Sequence, residues 1–233
     1  MGVRVRGDLL LMKPRNSLRT LINWLLRLSH QEKPRLKMKM LLLLSMLSGG
    51  RCADDGVAVR PPQGWRDWNQ YQGSISQQIM ETSADAVAST SRGVSLLSLG
   101  YSDIGVDDEW QLCGAYGKFN YTYHDELGNP QVDTTKFPNM SGMVSHIHSL
   151  GMTAGFYSNN CHCRDHCTDL KCFAGDVNAV IQWGFDSIKL DGCGAQENVQ
   201  LWYDSFDWAT KAMNRTQLLI ENCHNGPVRF FYA

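Results

Sequence analysis

Asp191 stands at the end of an apolar run, Ser-Ile-Lys-Leu-Asp-Gly-Cys at residues 187–193. If this run is a strand, Lys189 lies on the same face as Asp191, because strand side chains alternate with a period of two. A cation beside a carboxylate favours its ionised form, which a nucleophile requires, and Gly192 permits close approach of backbone or ligand. The alternative is a structural aspartate that caps the next helix or pairs with Lys189.

A second group of candidate residues is the pair Asp107-Asp108, followed by Trp110. Two carboxylate acceptors beside an aromatic ring are suited to recognising sugar hydroxyls against a ring face. A turn carrying two solvated acids is the alternative. Aromatic residues near other predicted strands could be either ligand platforms or core: Trp65, Trp68 and Tyr157.

Cysteines and histidines are concentrated in residues 161–172, where four cysteines and two histidines occur. Their spacing lacks the paired C-x-x-C knuckles of a strong zinc signature. We therefore expect disulfides here, with one crossing to Cys193 and holding the loop beside Asp191. No metal and no cofactor is expected.

These residues must be positioned by the elements around them, and the sequence alternates strand-like and helix-like stretches. The predicted strands are Gly64–Trp68, Val94–Leu99, Thr153–Tyr157, Ser187–Asp191 and Gln217–Asn222. The predicted helices are Ile75–Thr90, Met143–Leu150, Val177–Trp183 and Val199–Met213. Such alternation is typical of parallel β/α architecture.

Polar, aromatic or acidic residues follow every predicted strand. In a parallel barrel these carboxyl ends converge on one rim, where active sites of that fold lie. The sequence therefore predicts an incomplete TIM (β/α)₈ barrel with about five β/α units.

The N-terminal part has a different composition. Residues 1–51 contain eleven Lys or Arg and two acidic residues, whereas the rest contains 11 basic and 21 acidic residues. Basic residues, the apolar run 40–47 and small residues 48–50 are typical of a secretory signal peptide. We predict a basic extension with a signal peptide at 1–52, a linker at 53–63 and the catalytic domain at 64–233. An Arg-rich transit-type helix at 15–27 is the alternative.

Two further features favour the secretory pathway. N-glycosylation sequons begin at Asn120, Asn139 and Asn214. Seven cysteines follow Cys52, a density that fits disulfides in an oxidising compartment. A secreted or lysosomal glycoprotein is expected.

Several motifs together resemble those of the melibiase-type α-galactosidases of glycoside hydrolase family 27. The matching elements, in family order, are Gly-Trp-Arg-Asp-Trp-Asn at 64–69, Asp-Asp-x-Trp at 107–110, Gly-Phe-Tyr at 155–157, Trp-Gly at 183–184, Lys-x-Asp-Gly-Cys at 189–193, and Cys223. The resemblance covers residues 60 to 225.

The resemblance implies a (β/α)₈ domain, usually followed by a small antiparallel β domain, that hydrolyses terminal α-linked galactose with retention of configuration. It implies that Asp191 is the nucleophile that forms the glycosyl-enzyme intermediate. The sugar-binding positions that it implies are Trp68, Asp107, Asp108, Tyr157 and Lys189. It also implies a rim disulfide from Cys193 to Cys163, with Cys161 and Cys167 as alternative partners.

The sequence departs from the family pattern at three places. His224 replaces an acidic residue that contacts the sugar near its second carbon, so galactose specificity is open at this substrate-binding position. Glu109 stands where many members have a cysteine, and Cys113 lies further on. The family's acid/base aspartate lies on a later strand, beyond the last residue.

Retaining hydrolysis needs two carboxyl groups about 5 Å apart, and the chain supplies one. The odd cysteine count agrees, because the family partner of Cys223 lies downstream. We interpret the chain as a fragment of a longer enzyme, and expect it to fold poorly alone and to show no turnover.

The sequence thus predicts a retaining α-galactosidase acting on oligosaccharides or glycoconjugates. The alternatives are a related α-N-acetylgalactosaminidase or α-arabinopyranosidase, or an inactive sugar-binding fragment. The expected partner is an α-galactoside, with a possible homodimer. The acidic body argues against nucleic acid, and the apolar run is too short to span a membrane.

Overall fold

A computed structural model describes residues 61–167, 169–194, 199–212, 214 and 217–223. The predicted signal peptide and residues 53–60 of the predicted linker lie outside these residues, as does His224. Among the described residues, no helix is both long and apolar enough to cross a membrane.

Five parallel strands form one sheet in chain order. They are β1 Gly64–Arg66, β2 Asp103–Gly105, β3 Thr153–Asn160, β4 Ser187–Gly194 and β5 Leu219–Cys223. Each pairs in parallel with its neighbour along the chain. The predicted parallel β/α architecture is confirmed, and the described residues contain five strands of a (β/α)₈ barrel.

Helices connect the strands, as parallel pairing requires. They are α1 Trp68–Tyr71, α2 Gln77–Ala88, α3 Met140–Ser149, α4 Leu170–Trp183 and α5 Val199–Ala212. Local sequence sets their ends. The Ser76 hydroxyl accepts from Ile79 N–H and the Asn139 side chain from Gly142 N–H, so each caps a first turn. Gly184, at φ 93°, ends α4 in the left-handed conformation.

The core lies between the sheet and the apolar faces of the helices. Ile104, Phe156 and Ile188 of the strands are buried, as are Met80 of α2 and Ile147 of α3. The spacing of apolar residues in the helices follows the period expected of one buried face. This packing fixes the strands, and the strands fix the side chains at their carboxyl ends.

The predicted strand at Val94–Leu99 is wrong. Leu97–Leu99 form a short 3₁₀ helix instead, and the second strand is Asp103–Gly105. Val94 is 65% exposed and Leu99 is 60% exposed, so most of this apolar run lies at the surface and only Leu97 packs against the core. The Ser95 hydroxyl accepts from Ser98 N–H at 3.1 Å and favours a turn over an extended chain.

Candidate active site

Side chains at the carboxyl ends of β3 and β4 point to the same face. Tyr157 and Asn159 are two residues apart on β3, and Lys189 and Asp191 are two residues apart on β4. The register pairs Tyr157 with Lys189, so the two strands present their polar side chains side by side. Predicted site residues from separate parts of the sequence therefore meet at one rim.

Asp191 is held through both carboxylate oxygens. The Tyr157 hydroxyl donates to Oδ2 at 2.6 Å, and the Gly192 N–H donates to Oδ1 at 2.8 Å. Burial, followed by the hydrogen bond to Asp191, raises the pKa of Tyr157 well above its usual value, against the opposing effect of Asn159. Tyr157 therefore keeps its proton and remains a donor to a carboxylate of fixed orientation.

Asn159 connects this pair to the rest of the site, and the sequence analysis missed it. Its amide Nδ2 donates to the Tyr157 hydroxyl at 2.9 Å and to Asp108 Oδ2 at 3.0 Å. Its Oδ1 accepts the N–H groups of Cys161 and His162. The signal was available, because Asn159 follows Tyr157 by two residues on the same strand.

Asp107 and Lys189 form an ion pair in the interior of the rim. Lys189 Nζ lies 2.7 Å from Asp107 Oδ2, and it also lies 5.1 Å from the centre of the Tyr157 ring. The Asp67 carboxylate accepts the backbone N–H of Asp107 at 2.6 Å. Asp67 thus fixes the backbone from which the Asp107 side chain reaches Lys189.

Asp108 lies beside Asp107 but has different partners. Its Oδ1 accepts the Glu109 N–H at 2.9 Å and lies 3.4 Å from His162 Nδ1. Burial alone would raise the pKa of Asp108, but hydrogen bonds from His162 and neighbouring groups lower it below its usual value. Asp108 is therefore an ionised acceptor.

The aromatic residues divide into two groups. Trp68 belongs to α1 and is 39% exposed, so a ligand can reach it. Trp110 is buried against Phe156 and Trp183, and its indole N–H donates to the Tyr157 carbonyl. The expectation that Trp110 offers a sugar a ring face is wrong, because its ring fills the core.

Arg66 is a further residue that sequence analysis missed. Its guanidinium donates to the carbonyls of Val106 at 2.8 Å and Phe156 at 3.1 Å, and it forms an ion pair with Glu221. A Cβ at Gly105 would lie 2.6 Å from its Cζ. A side chain of β1 therefore contacts the residue after β2, a carbonyl of β3 and an acid of β5.

The disulfides differ from the predicted pairing. Cys163 is bonded to Cys113, and Cys167 to Cys172. A Cys163–Cys193 bond is therefore excluded, because each sulfur forms one such bond. Cys161 is also disulfide-bonded, whereas the side chain of Cys193 lies outside the described residues.

Two clusters among the described residues bring Cys and His together at metal-ligand distances: Cys113, His162 and Cys163, and His124, Cys167 and Cys172. In both, the two sulfurs are joined in a disulfide and cannot act as thiolate ligands. These clusters do not fit a metal in this state.

A parallel β/α sheet that gathers a positioned carboxylate, an Asp–Lys ion pair and an exposed tryptophan at its carboxyl ends has the layout of a (β/α)₈ barrel, a class of fold whose active sites lie at that rim. The comparisons agree with this class. The chain belongs to the melibiase family described as alpha galactosidase A, whose model matches residues 60–230.

Individual relatives carry the same description. A probable alpha-galactosidase of Dictyostelium discoideum is 30% identical over 179 residues, covering 75% of this chain and 43% of its own length. A probable alpha-galactosidase B of Talaromyces emersonii is 30% identical, covering 66% of this chain and 32% of its own. The chain therefore spans less than half of these relatives.

Among solved structures, alpha-galactosidase I of Mortierella vinacea superimposes with a TM-score of 0.53 at 30% identity. The match covers 73% of this chain and 42% of that structure. The resemblance to glycoside hydrolase family 27 predicted from the motifs is thus confirmed at the level of family and fold.

Proposed function

We propose that this site cleaves terminal α-galactosides with retention of configuration, with Asp191 as the nucleophile. The observation that supports this proposal most directly is that both carboxylate oxygens of Asp191 accept hydrogen bonds. Tyr157 and Gly192 each hold one of its oxygens, which leaves the carboxylate fixed in direction. A fixed carboxylate reduces the cost of reaching the reacting carbon in line.

In the proposed reaction, a carboxylate oxygen of Asp191 attacks the anomeric carbon. The bond from that carbon to the leaving oxygen breaks, and the leaving oxygen must receive a proton. Water then attacks the same carbon and releases Asp191. Two displacements at one carbon restore the original configuration.

The proton donor must be a carboxylic acid that carries its proton at the working pH. Asp108 is unsuited, because its pKa is lowered by its hydrogen bonds. Asp107 is unsuited because its Oδ2 lies 2.7 Å from Lys189 Nζ. The family resemblance assigns this role to an aspartate on a later strand.

Sugar recognition in this proposal falls to the acceptors and donors around Asp191. Asp107 and Asp108 accept from hydroxyls, and Lys189 donates to one. The exposed face of Trp68 is available to the apolar face of the sugar ring. His224 stays a sequence-based candidate for the group facing carbon 2.

The test traps Asp191 without requiring the acid. In 5-fluoro-α-galactosyl fluoride the anomeric fluoride leaves with its electron pair and needs no proton transfer. We expect one fluorogalactosyl group on the peptide that contains Asp191, seen by mass spectrometry. Asp191→Asn should remain unlabelled. Absence of label on wild-type chain that circular dichroism shows to be folded, or label on another residue, overturns the proposal.

Glycosyl fluorides of the alternative sugars test which sugar the site prefers. The departure at His224 keeps α-N-acetylgalactosaminide and α-linked arabinopyranoside as alternatives, so the corresponding fluorides are compared at equal concentration. Faster labelling by either of them replaces the α-galactoside assignment. Labelling by none, with galactose still bound in calorimetry, identifies an inactive sugar-binding protein.

We also propose a secretory-pathway location for this chain. Two disulfides among the described residues support it, since such bonds persist in oxidising compartments. Association into a homodimer stays a prediction.

A further inference from the structure

His162 lies against the site but has no part in the proposed displacement. Its Nδ1 is 3.4 Å from Asp108 Oδ1, and the two side chains are 14% and 15% exposed. The ring therefore contacts one of the proposed sugar-binding acids, and both side chains keep some exposed surface. It can therefore touch a hydroxyl that Asp108 binds.

The backbone around His162 fixes the position of its side chain next to Asp108. Its N–H donates to Asn159 Oδ1 at 2.9 Å. The next two residues, Cys163 and Arg164, both have positive φ, at 56° and 58°. Two successive side-chain-bearing residues in this region are strained, and such strain persists only where surrounding structure imposes it.

A disulfide is one of the constraints that hold the backbone of this loop in place. Cys163 is bonded to Cys113, which lies in the same segment after β2 as Asp107 and Asp108. The bond joins the loop that carries His162 to the segment that carries its partner. The two loops therefore hold a fixed separation across the Asp108–His162 contact.

The contact between His162 and Asp108 pairs a basic group with an acid, as the contact between Lys189 and Asp107 does. The hydrogen bond that His162 donates to Asp108 raises the pKa of His162, although burial opposes this rise. The titratable groups that influence His162 are Asp108 and Glu109 after β2 and Lys136 before α3. Each acid of the pair Asp107-Asp108 thus has its own basic partner.

We propose that His162, fixed by the Cys113–Cys163 disulfide, is a specificity-determining residue of the sugar site. It orients Asp108 and presents a ring N–H to the hydroxyl that Asp108 accepts. The inference rests on the proposed function, because it assumes that Asp108 binds sugar. The inference adds His162 to the proposed sugar-binding residues, on the basis of the Cys-His-Cys sequence at 161–163 in this chain.

The test uses the same fluoride and separates binding from chemistry. The inactivation rate is measured against reagent concentration, which gives a half-saturating concentration and a limiting rate. For His162→Ala we expect the half-saturating concentration to rise about tenfold, the size of one hydrogen bond to a charged group. The limiting rate should change by less than about threefold, because Asp191 and Tyr157 are untouched.

Two variants serve as controls. His162→Gln keeps a donor and should recover most of the affinity. His166→Ala removes an exposed histidine of the same loop, whose ring contacts Tyr121, and should match wild type. Equal loss in His162→Ala and His166→Ala would mean that the loop is merely disturbed, and would overturn the inference.

The disulfide is tested by a double-mutant cycle. The paired change Cys113→Ala with Cys163→Ala should weaken binding, and adding His162→Ala to it should weaken binding no further. Additive losses overturn the inference that the bond acts through His162. A pH series adds a second readout: the half-saturating concentration should rise with pH as His162 loses its proton in wild type, but not in His162→Gln.

The outcomes separate the two proposals. If wild type is not labelled at Asp191, the proposed function fails. If wild type is labelled and His162→Ala binds as tightly, only the role of His162 fails.

Discussion

At the scale of single residues, the hydroxyl of Tyr157 ties Asp191 to the remainder of the site. It donates to Asp191 and accepts from Asn159, which in turn donates to Asp108. A continuous set of hydrogen bonds thus links the proposed nucleophile with a proposed sugar-binding acid. Removing its central hydroxyl should affect reaction more than folding.

We therefore expect Tyr157→Phe to lower the limiting rate of Asp191 labelling by about tenfold to a hundredfold, since a hydrogen bond to a charged group contributes about 1.5–3 kcal/mol. Pre-steady-state mass spectrometry measures this rate. Tyr116→Phe is the control, because the Tyr116 hydroxyl donates to the Leu112 carbonyl and not to a residue of the site. A Tyr157→Phe rate equal to wild type would contradict the orienting role.

Asp67 gives a prediction about pH. It is 0% exposed, and burial raises its pKa to about 6. The folded state therefore binds this proton more tightly than the unfolded state, so stability is full at low pH and falls as pH rises from about 4 to 6. The loss amounts to about 3 kcal/mol, from roughly two pKa units.

Asp67→Asn keeps an oxygen for the Asp107 N–H and removes the charge. We expect it to raise the free energy of unfolding at pH 7.5 by up to that amount and to have little effect at pH 4. Asp133→Asn should have the opposite sign, because hydrogen bonds from Thr135 lower the pKa of Asp133. Urea unfolding at both pH values measures these free energies. An equal stabilisation by Asp67→Asn at both pH values would contradict the assignment of the pH dependence to Asp67.

At the scale of elements, Arg66 joins strands that are distant in sequence. Its guanidinium contacts the carbonyls of Val106 and Phe156, which directly precede Asp107 and Tyr157. It also contacts Glu221, which is paired in register with Lys189. The close approach of Gly105 and Gly155 leaves room for its guanidinium. The position of four strand ends therefore depends on one side chain.

Arg66→Met should destabilise the fold by about 2 kcal/mol, a value discounted for partial exposure of the ion pair. The buried carbonyls and Glu221 lose their partner. Lys211→Met is the matched control: it breaks an exposed pair with Asp207 within α5, and should cost less than about 0.5 kcal/mol. Similar losses for both, measured by denaturant unfolding, would contradict a special role for Arg66.

The elements also show how far sequence reasoning reached. Four predicted strands and four predicted helices correspond to observed elements, because apolar periodicity reports the face that packs on the core. Val94–Leu99 failed because apolar composition alone does not distinguish a buried strand from an exposed turn. The contacts of Arg66 and the Cys113–Cys163 pairing were not predictable, because each joins segments whose distance in space only the fold sets.

At the scale of the whole described structure, His124 forms a buried centre away from the site. Its Nε2 lies 2.9 Å from Asp176 Oδ1, and its Nδ1 lies 3.4 Å from Asp165 Oδ1. Burial opposes protonation, but the two carboxylates raise the pKa of His124 to about 9. This centre joins the segment after β2 to α4, through Asp176, and to the segment between β3 and α4, through Asp165.

The sign of its pH dependence is opposite to that of an acid with a lowered pKa. The folded state holds the His124 proton more tightly, so the stabilisation is full below about pH 6.5 and is lost as pH rises through about 9. We expect stability to fall by about 3 kcal/mol across that window. His124→Gln should abolish the fall, whereas His146→Gln, an exposed pair with Asp85, should retain it.

The order of the strands has a consequence for assembly. The strands β1 to β5 are adjacent in the sheet in the order in which they occur in the chain. This part of the barrel is therefore built from one continuous stretch of sequence. Its outer strands, β1 and β5, have one pairing partner each among the described residues. A polypeptide carrying the last β/α units of a relative's barrel therefore has two strand edges with which its backbone can pair. Co-expression of that polypeptide with this chain should give a stable complex, measured by size-exclusion chromatography.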